Sequence, residues 1–363
     1  MHTVQDTPAR PGSPRRRGPG RGRGHPALDW AGLRDYHDYM VRHLDDTAQV
    51  SGYEKAGAIV IKGNARLAGP GLVDVGGRQI EARDVVIATG SQPVRPDIDG
   101  LDDVPVWTNR GATSVCDIPH RVLLIGGSAV GVELGQFYAG MGAEVTIVER
   151  AGRLIDREDP RVGEPARQAL SAEGVTIRTR RTATRARRGT DGAVVTLDDG
   201  TEVQTDVVIL GACRRPATAG SGLETAGITP DTRGAIPVDE RCRAGAGLWA
   251  LGDVTGVALF THVAMYQGRI VADNILGRDR TASYYGIPGV GFVGPEIAAA
   301  GLTTEQASAR GISIAATEIS LADAISQPWT YERDPRGTLG LIADRDRRVL
   351  AGALGAPGAR RSA

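Results

Sequence analysis

The 363-residue chain has only three cysteines, Cys116, Cys213 and Cys242, too few and too scattered for a disulfide framework. Lysine is almost absent: only Lys55 and Lys62 interrupt a basic complement of arginine, which reads as coding bias. No apolar run approaches the length needed to span a membrane, so no transmembrane anchor is expected. The charged N-terminus lacks the apolar core of a secretory signal, and a cytoplasmic location is expected. The formal net charge is zero, so nothing global points to nucleic acid or a membrane surface as partner. What is abundant is glycine, 50 residues, which implies tight turns and close backbone contacts.

The charge balance conceals an asymmetry. Residues 1–28 hold six arginines and one aspartate among glycine and proline. Such a segment buries too little apolar surface to offset the entropy of ordering and is expected to be disordered. Arg-Gly runs can bind RNA, but a solvated tail is the preferred reading. From Asp29 to Asp46 the spacing of Trp30, Leu33, Tyr36, Met40, Val41 and Leu44 predicts one helix. His37 and His43 fall in it as surface or packing residues. Strands are then expected in AIVIKGNARLAG, GLVDVGG and DVVIATG. RVLLIGG is a buried strand, and its helix should bury Val130, Leu134, Phe137 and Met141. AEVTIVER, GVTIRTR, AVVTLDDGTEVQTDVVILG and AIPVDE continue the strand pattern, and Thr261 is placed to cap a helix over THVAMYQGRIVADNILG.

The informative stretch is LLIGGSAVGVELG, 123–135. A dinucleotide loop needs little side-chain volume where backbone amides meet a pyrophosphate, and a helix N-terminus aimed at that charge. Of the three glycine positions in G-x-G-x-x-G, Gly126 and Gly131 comply and Ser128 replaces the middle one. Serine is small, and its hydroxyl can donate to phosphate. Glu149, at the end of the next strand, is placed to accept bonds from ribose hydroxyls. It favours NAD over NADP, whose phosphate it would repel; Arg150 beside it leaves NADP open.

Together with this loop, DVVIATGSQPVRPDIDGL (84–101), DVVILGACRRPAT (206–218) and GLWALGDVTGVALFTHVAMYQGRIVADNILG (247–277) resemble the pyridine nucleotide-disulfide oxidoreductases. IPGVGFVGPEIAAAGLTTEQASARGI is similar to the start of that family's dimerisation domain. The resemblance implies an α/β fold of two Rossmann-like three-layer domains plus a partial α+β dimerisation domain. The FAD-binding domain would be incomplete, over 29–112 and 238–279, and the NAD(P)-binding domain complete over 113–237. The dimerisation domain would occupy 280–363, truncated, and a homodimer is the family's expected state. The resemblance further implies FAD contacts at Thr89, Gly90, Ser91 and Asp253, and adds Arg214 to the cofactor-binding set. The helix opening at Thr261 and His262 would aim its positive end at the flavin. Glu133 would lie near the nicotinamide carboxamide.

Set against the family, this sequence lacks an N-terminal glycine loop for the FAD pyrophosphate. It has no cysteine pair separated by four residues, since its nearest cysteines stand 29 positions apart. It has no histidine after His262 for the family's C-terminal His-Glu pair. Two readings follow: an oxidoreductase passing hydride from NAD(P)H to FAD but impaired in disulfide reduction, or a truncated, non-catalytic nucleotide-binding remnant. Cys213 is expected to be an inert substitution.

Overall fold

The computed structural model describes residues 29–294, 296–320, 337–344, 346 and 349–356, the last segment as backbone only. The arginine-rich segment 1–28 lies outside the described residues. Two units separate, 1–43 with 361–363, and 44–360. In the first, helix Trp30–Met40 is capped by the Asp29 side chain, which accepts from Gly32 N at 2.9 Å. The single helix expected to Asp46 ends early: Arg42, His43 and Leu44 take left-handed backbone, with φ of 53°, 52° and 58°.

In the larger unit, a second helix follows at Thr47–Lys55, started by Asp45, which accepts from Thr47 N. Residues 58–64, expected as strand, are irregular; pairing begins at Ala65, beyond the Lys62-Gly63-Asn64 break.

A five-stranded parallel sheet forms the centre. Its order is Val106–Trp107, Val207–Leu210, Arg121–Ile125, Glu144–Glu149, Thr176–Thr179. Its inner strands read as unbroken apolar runs because both faces are covered. Helices Ala129–Gly140 and Pro160–Ala172 cover one face, with Leu124, Ile147, Tyr138 and Leu170 in a single core. The antiparallel strands Ala183–Gly189, Gly192–Leu197 and Glu202–Thr205 cover the other, against Leu123, Val148 and Val208. Each fully buried aliphatic side chain contributes about 1.5–3 kcal/mol. Tyr138 OH donates to Ala112 O at 2.6 Å, and burial pushes its pKa up to about 12.

The helix Ala129–Gly140 buries a different face from the one expected. Gly131, Val132, Gly135 and Tyr138 face the sheet, while Leu134 and Phe137 are only partly buried. Small residues win this face because they let the helix approach: a Cβ on Gly135 would lie 2.9 Å from Ile147 Cδ1.

A second, smaller sheet pairs Val85–Ile87 in parallel with Leu248–Ala250, which also pairs antiparallel with Arg243–Gly245. Helix Thr261–Ile275 buries Ile270 and Val271 against Trp249 and Cys242. On the other side, Leu67 of the meander Ala65–Glu81 packs with Leu223, Ile236 and Leu248. Leu223 and Ile236 thus pack here rather than in the central layers. The strand Val106–Trp107 already belongs to the central sheet, and Arg214–Pro216 leaves it to pair with Ser91–Pro93. AIPVDE, expected as strand, is irregular. Among the described residues Val85–Ile87 is an edge strand, and Val86 is 41% exposed.

The C-terminal sheet is antiparallel, in the order 288–291, 296–301, 349–356, 338–344, 314–320. Its helix Thr304–Ala309 starts in a capping box of Thr303 and Gln306. Asp159 joins it to the central layers. This buried carboxylate accepts from Arg161 N and Nε, and from Thr304 N at 2.9 Å. Burial alone would raise its pKa, but the Arg161 side chain and the Thr304 and Arg161 amides outweigh it and hold it at about 2. Among the described residues no helix is long and apolar enough to cross a membrane.

Candidate functional site

The loop 126–131 joins the strand Arg121–Ile125 to the helix Ala129–Gly140 over a tight glycine contact. Gly126 has φ +108°, and a Cβ on it would lie 2.5 Å from Ala212 Cα. A Cβ on Gly131 would stand 3.0 Å from the carbonyl carbon of Gly126 and far inside the contact distance of its oxygen. Gly211, at the end of the neighbouring strand, completes the cradle: its added Cβ would lie 2.9 Å from Gly131 Cα. Sequence reasoning missed Gly211, although its glycine follows a buried strand as Gly126 does. Ser128 is the N-cap, yet its hydroxyl does not cap the helix. It donates to Gly211 O, so the bond to phosphate expected of it is not the one this conformation makes. The helix's first amides are left without a side-chain acceptor, the arrangement that binds anions.

Glu149 is tied to the same loop. One carboxylate oxygen accepts from Gly127 N at 2.5 Å and the other from Ala151 N at 2.6 Å. The negative charge is thus fixed beside the loop at the end of its strand. Arg150 is exposed, and the guanidinium of Arg180 lies near Gly152.

A second cluster gathers at the two-stranded pairing of Ser91–Pro93 with Arg214–Pro216. Arg214 Nε donates to Ser91 Oγ at 2.8 Å, and Ser91 Oγ donates to Asp253 Oδ2 at 2.5 Å. Arg214 also reaches Ser91 O at 2.6 Å and Asn109 Oδ1 at 3.4 Å. The antiparallel pairing of Pro216 with Ser91 brings these distant residues together. Thr89 is exposed, and Gly90, with φ +72°, has nothing within 4 Å of where a Cβ would stand. Asp253 enters from a short helical turn after Gly252, whose N–H donates to the buried Gln267 Oε1 at 2.6 Å.

The helix Thr261–Ile275 opens nearby, but Thr261 is not its cap. Phe260 holds the N-cap position, Thr261 is the first helical residue, and no side chain caps the first turn. His262 stacks on Phe260 with ring centroids 5.2 Å apart. Around Gly289 the Phe260 ring edge and Glu158 Oε1 converge, at 3.4 Å and 3.7 Å from a Cβ built there. Burial first, and the Asp159 charge second, push the Glu158 carboxyl above its ordinary range.

Glu133 meets the C-terminal layer: its Oε1 accepts from Phe292 N at 2.9 Å. One turn on, Gln136 brackets Gly294. Phe292, Gln136 and Asp159 were not among the sequence candidates, because each acts across more than 140 positions of chain.

This geometry has known relatives. Residues 24–268 match the profile of the family described as pyridine nucleotide-disulphide oxidoreductase, and residues 287–360 match its dimerisation domain. The chain belongs to the pyridine nucleotide-disulphide oxidoreductase family. It is 36% identical over 330 residues to a mercuric reductase of Streptomyces lividans, covering 88% of this chain and 69% of that one. It is 36% identical over 301 residues to a dihydrolipoyl dehydrogenase of Thermus scotoductus, covering 80% of this chain but only 64% of the relative. Among solved structures, the HOCl-induced flavoprotein disulfide reductase RclA of Escherichia coli superimposes with a TM-score of 0.81 at 29% identity. That match covers 91% of this chain and 77% of the other.

The family uses flavin and NAD(P)H, and both can be tested against the residues present. Gly126, Gly131 and Gly211 approach too closely to admit a side chain, and the first turn of the helix Ala129–Gly140 carries no side-chain cap, which fits a pyrophosphate. In the second cluster, the Asp253 carboxylate fits sugar-alcohol hydroxyls, because an ionised carboxylate only accepts. The uncapped helix at Thr261 fits an electron-rich ring edge. No cluster of metal-binding residues occurs among the described residues.

Proposed function

We propose that this chain is an oxidoreductase that takes a hydride from NADH for delivery to FAD. The observation that carries the reading is the double anchoring of Glu149 on Gly127 N and Ala151 N beside the glycine cradle. It fixes one negative charge where the adenine-side ribose of a dinucleotide would lie. A ribose diol donates to such a carboxylate; a 2′-phosphate is repelled by it. NADH is therefore preferred over NADPH, with Arg150 and the Arg180 guanidinium near Gly152 as neighbouring cations that oppose this.

In this reading the uncapped amides of the helix's first turn, from Ala129, hold the pyrophosphate, and Glu133 faces the nicotinamide end. Ser91, oriented by Arg214, and Asp253 would hold the ribityl chain of FAD. The helix N-terminus at Thr261 and His262 would stabilise negative charge on the ring. When bound, FAD supplies the two-electron acceptor for the hydride. Thr89 and Gly90 leave the approach open. The domain division assigned to FAD, NAD(P) and dimerisation functions belongs to the same proposal, as does a homodimer through the C-terminal sheet. A cytoplasmic setting suits free NADH as the donor.

Disulfide reduction needs a dithiol that these three cysteines do not supply: Cys116 and Cys213 are exposed, Cys242 is buried, and no disulfide joins them. The electrons then leave flavin for a small external acceptor. A second reading, nucleotide binding without turnover, is favoured by the exposed Val86 on an edge strand beneath the flavin cluster. One experiment separates the two. Purified chain is mixed with FAD, freed of excess, and given NADH and a quinone dye. The first reading expects a yellow protein that oxidises NADH; a colourless protein whose melting FAD does not change leaves only the second.

A further inference from the structure

Gln136 lies on the Ala129–Gly140 helix three residues after Glu133, so the two share one face. Its side-chain amide is used three ways. Oε1 accepts from Gly294 N at 2.6 Å, while Nε2 donates to Gly294 O at 2.9 Å and to Glu173 Oε1 at 3.0 Å. Both amide hydrogens and one carbonyl lone pair are therefore committed. Turning the amide over would set its NH2 against the Gly294 N–H, and its oxygen against the Gly294 carbonyl and the Glu173 carboxylate. The orientation is consequently fixed by three contacts of one sense.

What this clamp holds is the segment that binds Glu133. Gly294 lies two residues after Phe292, whose N–H donates to Glu133 Oε1. Between them Val293 is buried in the same core as Val132 and Tyr138. Phe292 itself is 75% exposed, so the backbone is pinned while its ring stands in solvent. With Oε1 occupied, Glu133 Oε2 has no hydrogen-bond partner among the described residues.

We propose that Gln136 is a positioning residue for the nicotinamide end of the dinucleotide. By gripping Gly294 it sets Phe292 N on one oxygen of Glu133 and presents the other to an amide donor. This rests on the NADH reading, in which Glu133 accepts from the carboxamide N–H. It also makes the C-terminal layer part of the nucleotide site, since Gly294 and Phe292 belong to its first loop.

The test compares NADH with ADP-ribose, which carries the same pyrophosphate and adenosine but no nicotinamide. Dissociation constants for both are measured by calorimetry on the full chain. Variants are Gln136→Met, of similar length with no hydrogen bonds, Glu133→Ala, and the double variant. Gln136→Met is expected to weaken NADH by about fivefold or more and to leave ADP-ribose within about twofold. Added to Glu133→Ala it should cost nothing further, because it acts through that residue. Gln136→Ala, which removes the same three bonds with less side-chain volume, should show the same selective loss and serves if the methionine variant does not fold. Equal weakening of both ligands, or full additivity with Glu133→Ala, overturns the positioning role. Wild-type chain that binds both ligands equally also overturns it while sparing the nucleotide loop. Wild-type chain that binds neither overturns the NADH reading and this proposal with it.

Discussion

Replacing Gly131 by alanine sets two effects of opposite sign against each other. In an exposed helix interior, glycine to alanine stabilises by about 1 kcal/mol. Gly140, the last residue of the same helix, is the exposed counterpart with a smaller gain, since an added Cβ there meets nothing within 4 Å. At Gly131 the added Cβ would lie 3.0 Å from the Gly126 carbonyl carbon and 3.8 Å from Gly211 O, with the Gly126 oxygen closer still. All of these are backbone atoms, so no side chain can swing away. Overpacking of this kind costs about 1–3 kcal/mol, and here it also displaces the amides of the loop. Gly140→Ala should therefore raise the urea midpoint and leave NADH affinity unchanged. Gly131→Ala should lower the midpoint and weaken NADH by about tenfold or more, since 1.4 kcal/mol is a factor of ten. Paired urea curves and calorimetric titrations measure both. If Gly131→Ala is as stable as Gly140→Ala and binds NADH equally well, the cradle is not what holds the nucleotide.

Removing the Glu149 carboxylate in Glu149→Ala frees two loop amides and deletes the charge that opposes a 2′-phosphate. NADH affinity should fall, and the ratio of NADPH to NADH affinity should rise by about tenfold, read from the two dissociation constants. Asp159 is held at about 2 against 3.8 unperturbed, so its contribution is full above pH 3.8 and is lost as pH falls toward 2. Asp159→Asn should cost about 2 kcal/mol near neutrality and flatten the loss of stability over that acid window, followed by urea midpoints against pH. Glu158 is shifted the other way, so its contribution is full below 4.5 and is lost as pH rises through its raised folded value. Glu158→Gln should therefore stabilise the chain at neutral pH and not at pH 4, by the same measurement.

The tight glycine loop was legible in the sequence because its demand is on the backbone: Gly126 and Gly131 are glycines where any Cβ would collide. The family resemblance and the mixed α/β fold were legible for a related reason, since several such backbone-constrained stretches keep their order. The buried face of the following helix was not legible. Counting apolar residues favours Val130, Leu134, Phe137 and Met141, whereas close approach to the sheet favours Gly131, Gly135 and Tyr138. The early end of the first helix was hidden too, because three consecutive left-handed residues leave no mark in Arg42-His43-Leu44. Least legible were contacts between layers. Glu133 with Phe292 and Asp159 with Thr304 depend on where the C-terminal sheet docks, which no local pattern states.

Hydride transfer from NADH to flavin on this chain is tested by one anaerobic titration. Chain reconstituted with FAD is freed of unbound flavin and titrated with NADH while the visible flavin absorption is followed. The expected result is that the absorption bleaches with one NADH per bound flavin, and returns when air is admitted. Flavin that is retained but does not bleach with NADH, while dithionite bleaches it, would contradict that transfer.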